Sequence, residues 1–178
     1  IIARRYPIRF HTPNGLHVRY ITRELAQLFF AAGFKTLRLS FESSRLERQA
    51  DSSFKVTNAE FSAALTNLSL AGFGNEDLAA YMLIGLPDQA PAEIMESARF
   101  VHSHGIAVDV TEYSPIPGTR YFERCVHANP FLLNEPLLQN RALFPLSRSP
   151  SDYVEYQTIR NTIRTLNRRL QSTPKELV

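Results

Sequence analysis

LFFAAGFKTLRLSFESS (Leu28–Ser44), LSLAGFGNEDLAAYMLIGLPDQ (Leu68–Gln89) and FVHSHGIAVDVTEYSPIPGT (Phe100–Thr119) follow one plan. Each leaves a helix-forming run at a glycine, crosses a short apolar stretch, and opens into a polar turn. Gly33, Gly72 and Gly105 stand where a helix end wants a residue that accepts positive φ. The apolar stretches around Leu37–Phe41, Leu78–Ile84 and Ala107–Val110 have strand length and are bounded by breakers. Helix alternating with buried strand predicts a parallel sheet of βαβ units. Chemistry in such sheets gathers at the C-terminal edge of the strands. Here that edge carries Glu42-Ser43-Ser44, Gly85-Leu86-Pro87-Asp88-Gln89 and Glu112 through Thr119.

The flanking sequence extends the plan. Residues 7–11 read as a first strand running into the turn Thr12-Pro13-Asn14-Gly15. A helix follows, capped by Thr22 and burying Leu25, Leu28, Phe29 and Ala32. The second strand is Thr36–Phe41, and residues 44–55 form a polar, irregular excursion. Thr57 and Glu60 have capping-box spacing, ahead of a face made by Phe61, Ala64, Leu65, Leu68 and Ala71. Pro91 suits the first turn of another helix, whose inward stripe is Ile94, Ala98 and Val101. The third strand ends at Gly85, and the fourth covers Ala107–Tyr113. The expectation is an α/β fold with four parallel strands in βαβαβαβ order. An open sheet and part of a barrel both accommodate that order. Residues 1–128 form this unit. Residues 129–178 form a C-terminal helical extension, with a proline-rich stretch ahead of a helix of about five turns. That helix is capped by Ser151 or Asp152 and has a seam of Tyr156, Ile159, Ile163, Leu166 and Leu170.

A chain of 178 residues with 44% apolar content and a formal charge of +3 suits one core and leans only slightly toward anionic partners. No stretch approaches the roughly 18–20 apolar residues that span a bilayer, so no membrane partner is expected. The opening IIARRYPIRF is not a signal peptide, and its lack of an initiator methionine predicts a truncated or excised chain. Cys125 is the single cysteine, which excludes an intrachain disulfide, a four-thiolate zinc site and a cluster held by this chain's thiols. A reducing, cytoplasmic setting follows. Cys125 lies in a short helix, RYFERCVHA, as an inert thiol. The histidines lack a shared metal-binding spacing, and no residue is assigned as a catalytic group or metal ligand.

Glu42 ends an apolar strand, where a carboxylate needs a partner. A ligand would supply one, and so would Lys55, Arg38 or Arg45. Glu112 and Glu42 could face one cleft as an acid–base pair. Gly85-Leu86-Pro87 offers close backbone approach without a phosphate-loop pattern. Ser40 and Ser114 lack nucleophile-elbow context. Arg160, Arg164 and Arg168, with Arg169, read either as a solvated helix face or as an RNA-contacting stripe.

Five motifs in register, TPNGL (Thr12–Leu16), LRLSFESS (Leu37–Ser44), FKVT (Phe54–Thr57), YMLIGLPDQ (Tyr81–Gln89) and EYSPIPGT (Glu112–Thr119), resemble the C-terminal half of radical S-adenosylmethionine enzymes. They are most similar to the cobalamin-domain-containing and methylthiotransferase-like branches. The resemblance implies a TIM-like six-stranded partial (β/α) barrel of which this chain supplies the last four strands. It implies S-adenosylmethionine across the top of the sheet. Asn14 belongs to the third-strand loop. Glu42, Ser40 and Ser43 would reach the amino-acid or ribose part, and Lys55 its carboxylate. Ile84, Gly85, Leu86, Tyr113 and Ser114 would lie against the adenine. The CxxxCxxC motif that holds the family's 4Fe–4S cluster is absent here, so the cluster ligands would lie outside this chain, on a missing N-terminal half. Cobalamin, where used, would sit in a separate domain.

Without that half, residues 7–11 would be an uncovered edge, which predicts a homodimer or partial disorder near Ile8–His11. Two other readings use the same residues. One is a self-contained α/β ligand-binding domain without radical chemistry, and the other is the RNA-contacting module.

Overall fold

The computed structural model describes residues 1–4, 6–51, 56–128, 135 and 150–172. Its strands are β1 (Phe10–His11), β2 (Phe34–Ser40), β3 (Leu78–Ile84) and β4 (Ala107–Glu112). They form one sheet in the order β1-β2-β3-β4, and every pair is parallel. Between and after them come α1 (Arg23–Ala32), α2 (Leu46–Asp51), α3 (Asn58–Ala71), α4 (Pro91–Ser103), α5 (Arg120–Ala128) and α6 (Pro150–Ser172).

The local signals act as expected at most boundaries. Thr22 accepts from Leu25 N–H, and α1 ends at Gly33 with φ 92°. Thr57 and Glu60 form both halves of a capping box, and α3 ends at Gly72 with φ 109°. A residue with a Cβ is strained at such φ values, which is why glycine stands at both ends. Pro91 opens α4. α4 ends one residue before Gly105, at His104.

Other boundaries differ from the sequence expectation. β1 is only Phe10–His11. Pro7 has no N–H to donate, and Ile8 N–H turns back to Tyr6 O, so the preceding residues leave the ladder. The chain instead continues along β2 through Thr12 and Leu16: Leu16 N–H donates to Arg38 O and Ser40 N–H to Leu16 O. β2 starts earlier than expected, at Phe34, whose ring stacks on Phe10. α1 leaves Leu28 54% exposed and buries Ala26 instead. The 44–55 excursion contains α2, and α6 begins at Pro150 rather than after Ser151 or Asp152. Most of residues 129–149 lie outside the described residues.

Alternation along the strands divides the sheet into two faces. Leu37, Leu39, Leu78, Ala80, Met82, Ile84 and Val108 face the helices and are buried there with Phe61, Leu68, Ile94, Ala98 and Val101. Phe41 is fully buried between Phe61 and Phe100, with ring centroids 4.4 and 5.4 Å away. Two residues of α6, Ile159 and Ile163, complete this core. The opposite face carries Thr36, Arg38, Ser40, Tyr81 and Asp109, all partly exposed. Arg38 reaches across β3 to pair with Asp109, and the small Ala79 lies in register beside Arg38.

Glu60 also accepts from Arg19 at 2.7 Å. That bond, with the Thr57 N–H, lowers its carboxyl from 4.5 to about 2. The stabilising contribution is therefore present above the unfolded value and is lost as pH falls toward 2. Glu60→Gln keeps an acceptor for the cap but cannot ionise. Thermal melts across this range will show lower stability at neutral pH and a flatter acid limb than wild type; superimposable profiles would contradict this account.

Candidate functional site

The C-terminal ends of the strands converge on one edge. Phe41 N–H donates to Tyr81 O and Tyr113 N–H to Ile84 O, so the ladders run on past the strand ends into the rim. Beside them, Gly15 sits so close to β2 that a Cβ on it would lie 2.3 Å from Ser40 Oγ. Asn14 is thereby brought next to the Ser40–Glu42 segment.

The two faces sort the expected site residues. Ser40 lies on the polar face, and Glu42, one residue beyond the inward-facing Phe41, returns to it. Asn14 is exposed, while Ser40, Glu42 and Ser114 are partly so. Ile84 is fully buried on the helix face, and its carbonyl is taken by Tyr113. Leu86 and Tyr113 are packed with Cys125 beneath α5. Burial raises the Tyr113 phenol above its ordinary value and raises the Cys125 thiol to about 11. Gly85 is buried, and its N–H and that of Leu86 donate to Gln89 Oε1 at 2.8 and 3.3 Å. Ser43 is 2% exposed and donates to Glu93 at 3.1 Å. Lys55 lies outside the described residues.

One expectation is corrected. Glu112 does not share a cleft with Glu42: alternation puts it in the helix-face set with Ile84, its register partner, and Arg160 binds it there. That same bond gives Arg160 of the arginine stripe a carboxylate partner. Arg38 and Arg45 are engaged by Asp109 and Glu96.

Beneath the rim lies a polar assembly that the sequence reading missed. Arg48, on α2, presents a two-pronged fork to Glu93 of α4, with Nε–Oε1 at 2.8 Å and Nη2–Oε2 at 3.0 Å. The two side chains are 9% and 6% exposed. The same guanidinium donates to Pro87 O and Asp88 O at 3.0 and 3.1 Å. It thus ties the β3 loop to α2 and α4. The Glu93 hydrogen bond raises Arg48 above its already high value, so the charge is permanent. Asp88, held by Arg48 and Arg124, has φ 56°, an unusual conformation for a side-chain-bearing residue. Ser97 accepts from Ser44 N–H at 2.9 Å, and Gln49 donates to Ser43 O at 2.9 Å, which anchors the β2 loop to the same assembly. No spacing rule pairs Arg48 with Glu93, because they lie on different helices.

Chemically, the rim carries a carboxylate, a hydroxyl and an amide, on loops braced by the Arg48–Glu93 assembly. It does not fit an iron–sulfur cluster: Cys125 is fully buried, and among the described residues no three His, Cys, Asp or Glu side chains could hold a metal. No helix among them is long and apolar enough to cross a membrane.

The architecture is a parallel α/β layer of the partial-barrel kind, with a C-terminal helix. It is similar to coproporphyrinogen III oxidase (HemN) from Escherichia coli, a radical SAM enzyme. The TM-score is 0.56 with 18% identity, over 85% of this chain and 30% of that one. The chain therefore spans about a third of that enzyme's length. No family model matches the sequence. No curated protein matches it either.

Arg48→Met leaves Glu93 buried without its cation and will cost about 3–5 kcal/mol in denaturant unfolding. The double change Arg48→Met, Glu93→Leu removes both charges and will recover most of that loss. A double variant as unstable as the single would show that the pair is not what the loop depends on.

Proposed function

We infer that this chain is the C-terminal part of a radical S-adenosylmethionine enzyme and contributes part of the cofactor-binding rim. The observation that carries the reading is the convergence of the Asn14, Glu42, Gly85 and Tyr113 loops on one edge of a parallel sheet with the HemN-like fold. The ten motif residues divide by role. Asn14, Ser40, Glu42 and Ser114 meet the cofactor with side-chain polar atoms, and Lys55 meets its carboxylate. Gly85, Leu86 and Tyr113 shape the adenine side, with Ile84 and Ser43 supporting from below. The 4Fe–4S cluster is held by residues outside this chain, on the missing N-terminal half. When bound, it supplies the electron that cleaves the sulfonium. Assignment to the cobalamin-domain or methylthiotransferase-like branch rests on the motif residues alone, with cobalamin in a separate domain. The setting is cytoplasmic.

Calorimetric titration with S-adenosylmethionine tests the cofactor part. Binding is expected, and Glu42→Gln will weaken it by about 10-fold, as for loss of a charged hydrogen-bond partner. Glu112→Gln, on the other face of the sheet, will not. Iron and sulfide reconstitution of the chain will yield no cluster absorbance. A stoichiometric cluster, or titration curves indifferent to Glu42, would overturn the reading. A reading frame that extends upstream through CxxxCxxC would support the reading genetically.

The same reading leaves β1 as an edge that the missing half would cover. Tyr6 and Ile8, at 47% and 45% exposure, lie just ahead of it. Two copies paired there form a homodimer. Light scattering checks this, and Ile8→Lys is expected to shift the population to monomer.

A further inference from the structure

On the far side of the sheet from β1, β4 and α6 enclose a cleft of about 280 Å³ that the rim does not use. Its lining includes Val108, Val110, Arg160, Ile163, Arg164 and Asn167. The backbone geometry of β4 determines what these residues offer. Tyr113 N–H is spent on Ile84 of β3, so the odd-numbered residues of β4 bond inward. Val108 and Val110 therefore direct their N–H and C=O groups outward, to the edge.

Val108 is already satisfied. Asn167 Oδ1 accepts from its N–H at 3.0 Å, and Asn167 Nδ2 donates to its carbonyl at 2.9 Å. His102 Nε2 lies 2.8 Å from the same Oδ1; because that oxygen only accepts, the ring nitrogen carries the proton. At the other end, Arg160 is bound to Glu112. Between these closures, neither the Val110 N–H nor the Arg164 guanidinium has a partner among the described residues. The floor is apolar, with Ile163 fully buried.

An edge amide and a planar guanidinium over an apolar floor form a receptor for an anion, and a fork donor matches a carboxylate. Among the described residues no carboxylate is bound to it. Glu112 is committed to Arg160, and Asp109, which also lines the cleft, sends its carboxylate to the opposite face of the sheet to meet Arg38. Asn167 and the Arg160–Glu112 pair close both ends of the edge, so an extended polypeptide cannot run along β4. We propose that this cleft binds a small organic acid, whose carboxylate accepts hydrogen bonds from Val110 N–H and Arg164. The site is separate from the rim and independent of the radical-enzyme reading.

Isotope-labelled full chain titrated with lactate at constant ionic strength, followed by amide and arginine-side-chain NMR, tests the proposal. Saturable shifts centred on Val110 and Arg164 are expected, with Kd on the order of 1 mM. Arg164→Gln will weaken binding by about 10-fold or more, the loss expected for one charge-assisted bond. Arg168→Gln, one turn further along α6, will leave it unchanged. Val110→Pro, which deletes the outward N–H of an edge strand, will also weaken it; its amide spectrum reports whether the fold is retained. Shifts reproduced by chloride, or an Arg164→Gln variant that binds like wild type, would overturn the site. Tighter binding of a tripeptide through its C-terminal carboxylate would overturn the closed-ended cleft and the small-molecule assignment.

Discussion

Successive side chains of a strand leave opposite faces of the sheet, and most of what this molecule can do follows from that alternation. It commits Leu37, Leu39, Met82 and Ile84 to the helices and frees Arg38, Ser40, Tyr81 and Asp109 for the other side. A shift of one residue would bury Arg38 against Phe61 and expose Leu39, so the register is strongly specified. The same rule separates Glu42 from Glu112, two carboxylates that look interchangeable as strand-end residues. One returns to the polar face near the rim. The other belongs with α6 and is neutralised by its arginine.

Charge is handled differently at different depths. Exposed pairs such as Arg45–Glu96 contribute little, because water competes for both partners. The Arg48–Glu93 pair is taken out of water, a desolvation cost that only good geometry and further hydrogen bonds repay. Both are present: a two-pronged fork plus two loop carbonyls. In return, the Gly85–Gln89 turn is fixed from below by Arg48 and from within by Gln89. An edge made of loops gains precision this way, since the β2 and β3 loops are both anchored to α2 and α4.

The fold was largely legible because its signals are local. Helix-ending glycines, the Thr57–Glu60 capping box, Pro91 and the apolar strand runs each act over a few residues. What escaped depended on distance. β1 is shorter than its composition suggests because Pro7 and the Tyr6–Ile8 turn remove it from the ladder. Leu28 reads as core by spacing, yet α1 is rotated so that Ala26 lies beneath it and Leu28 faces outward. α2 was hidden because its inward residues, Arg48 and Gln49, are polar, and hydrophobic periodicity cannot register a helix that buries hydrogen bonds. The rim loops were found from strand ends, whereas the side chains that brace them come from α2 and α4.

The two edges of the sheet show what secures a parallel layer. β4 is shielded along its outward side by α6: Asn167 imitates a neighbouring strand at Val108, and Arg160 blocks the level of Glu112. A side-chain amide can do this because it carries one donor and one acceptor at nearly the spacing of a peptide group. β1 has only two residues in the ladder and no comparable shield among the described residues. An edge closed by a helix ends the sheet, whereas an edge left short invites another strand. Growth of this sheet is therefore directional: a further strand can join beside β1 but not beside β4. That asymmetry leaves β1 as the edge at which this layer can be extended, and it gives α6 the role of ending the sheet at β4.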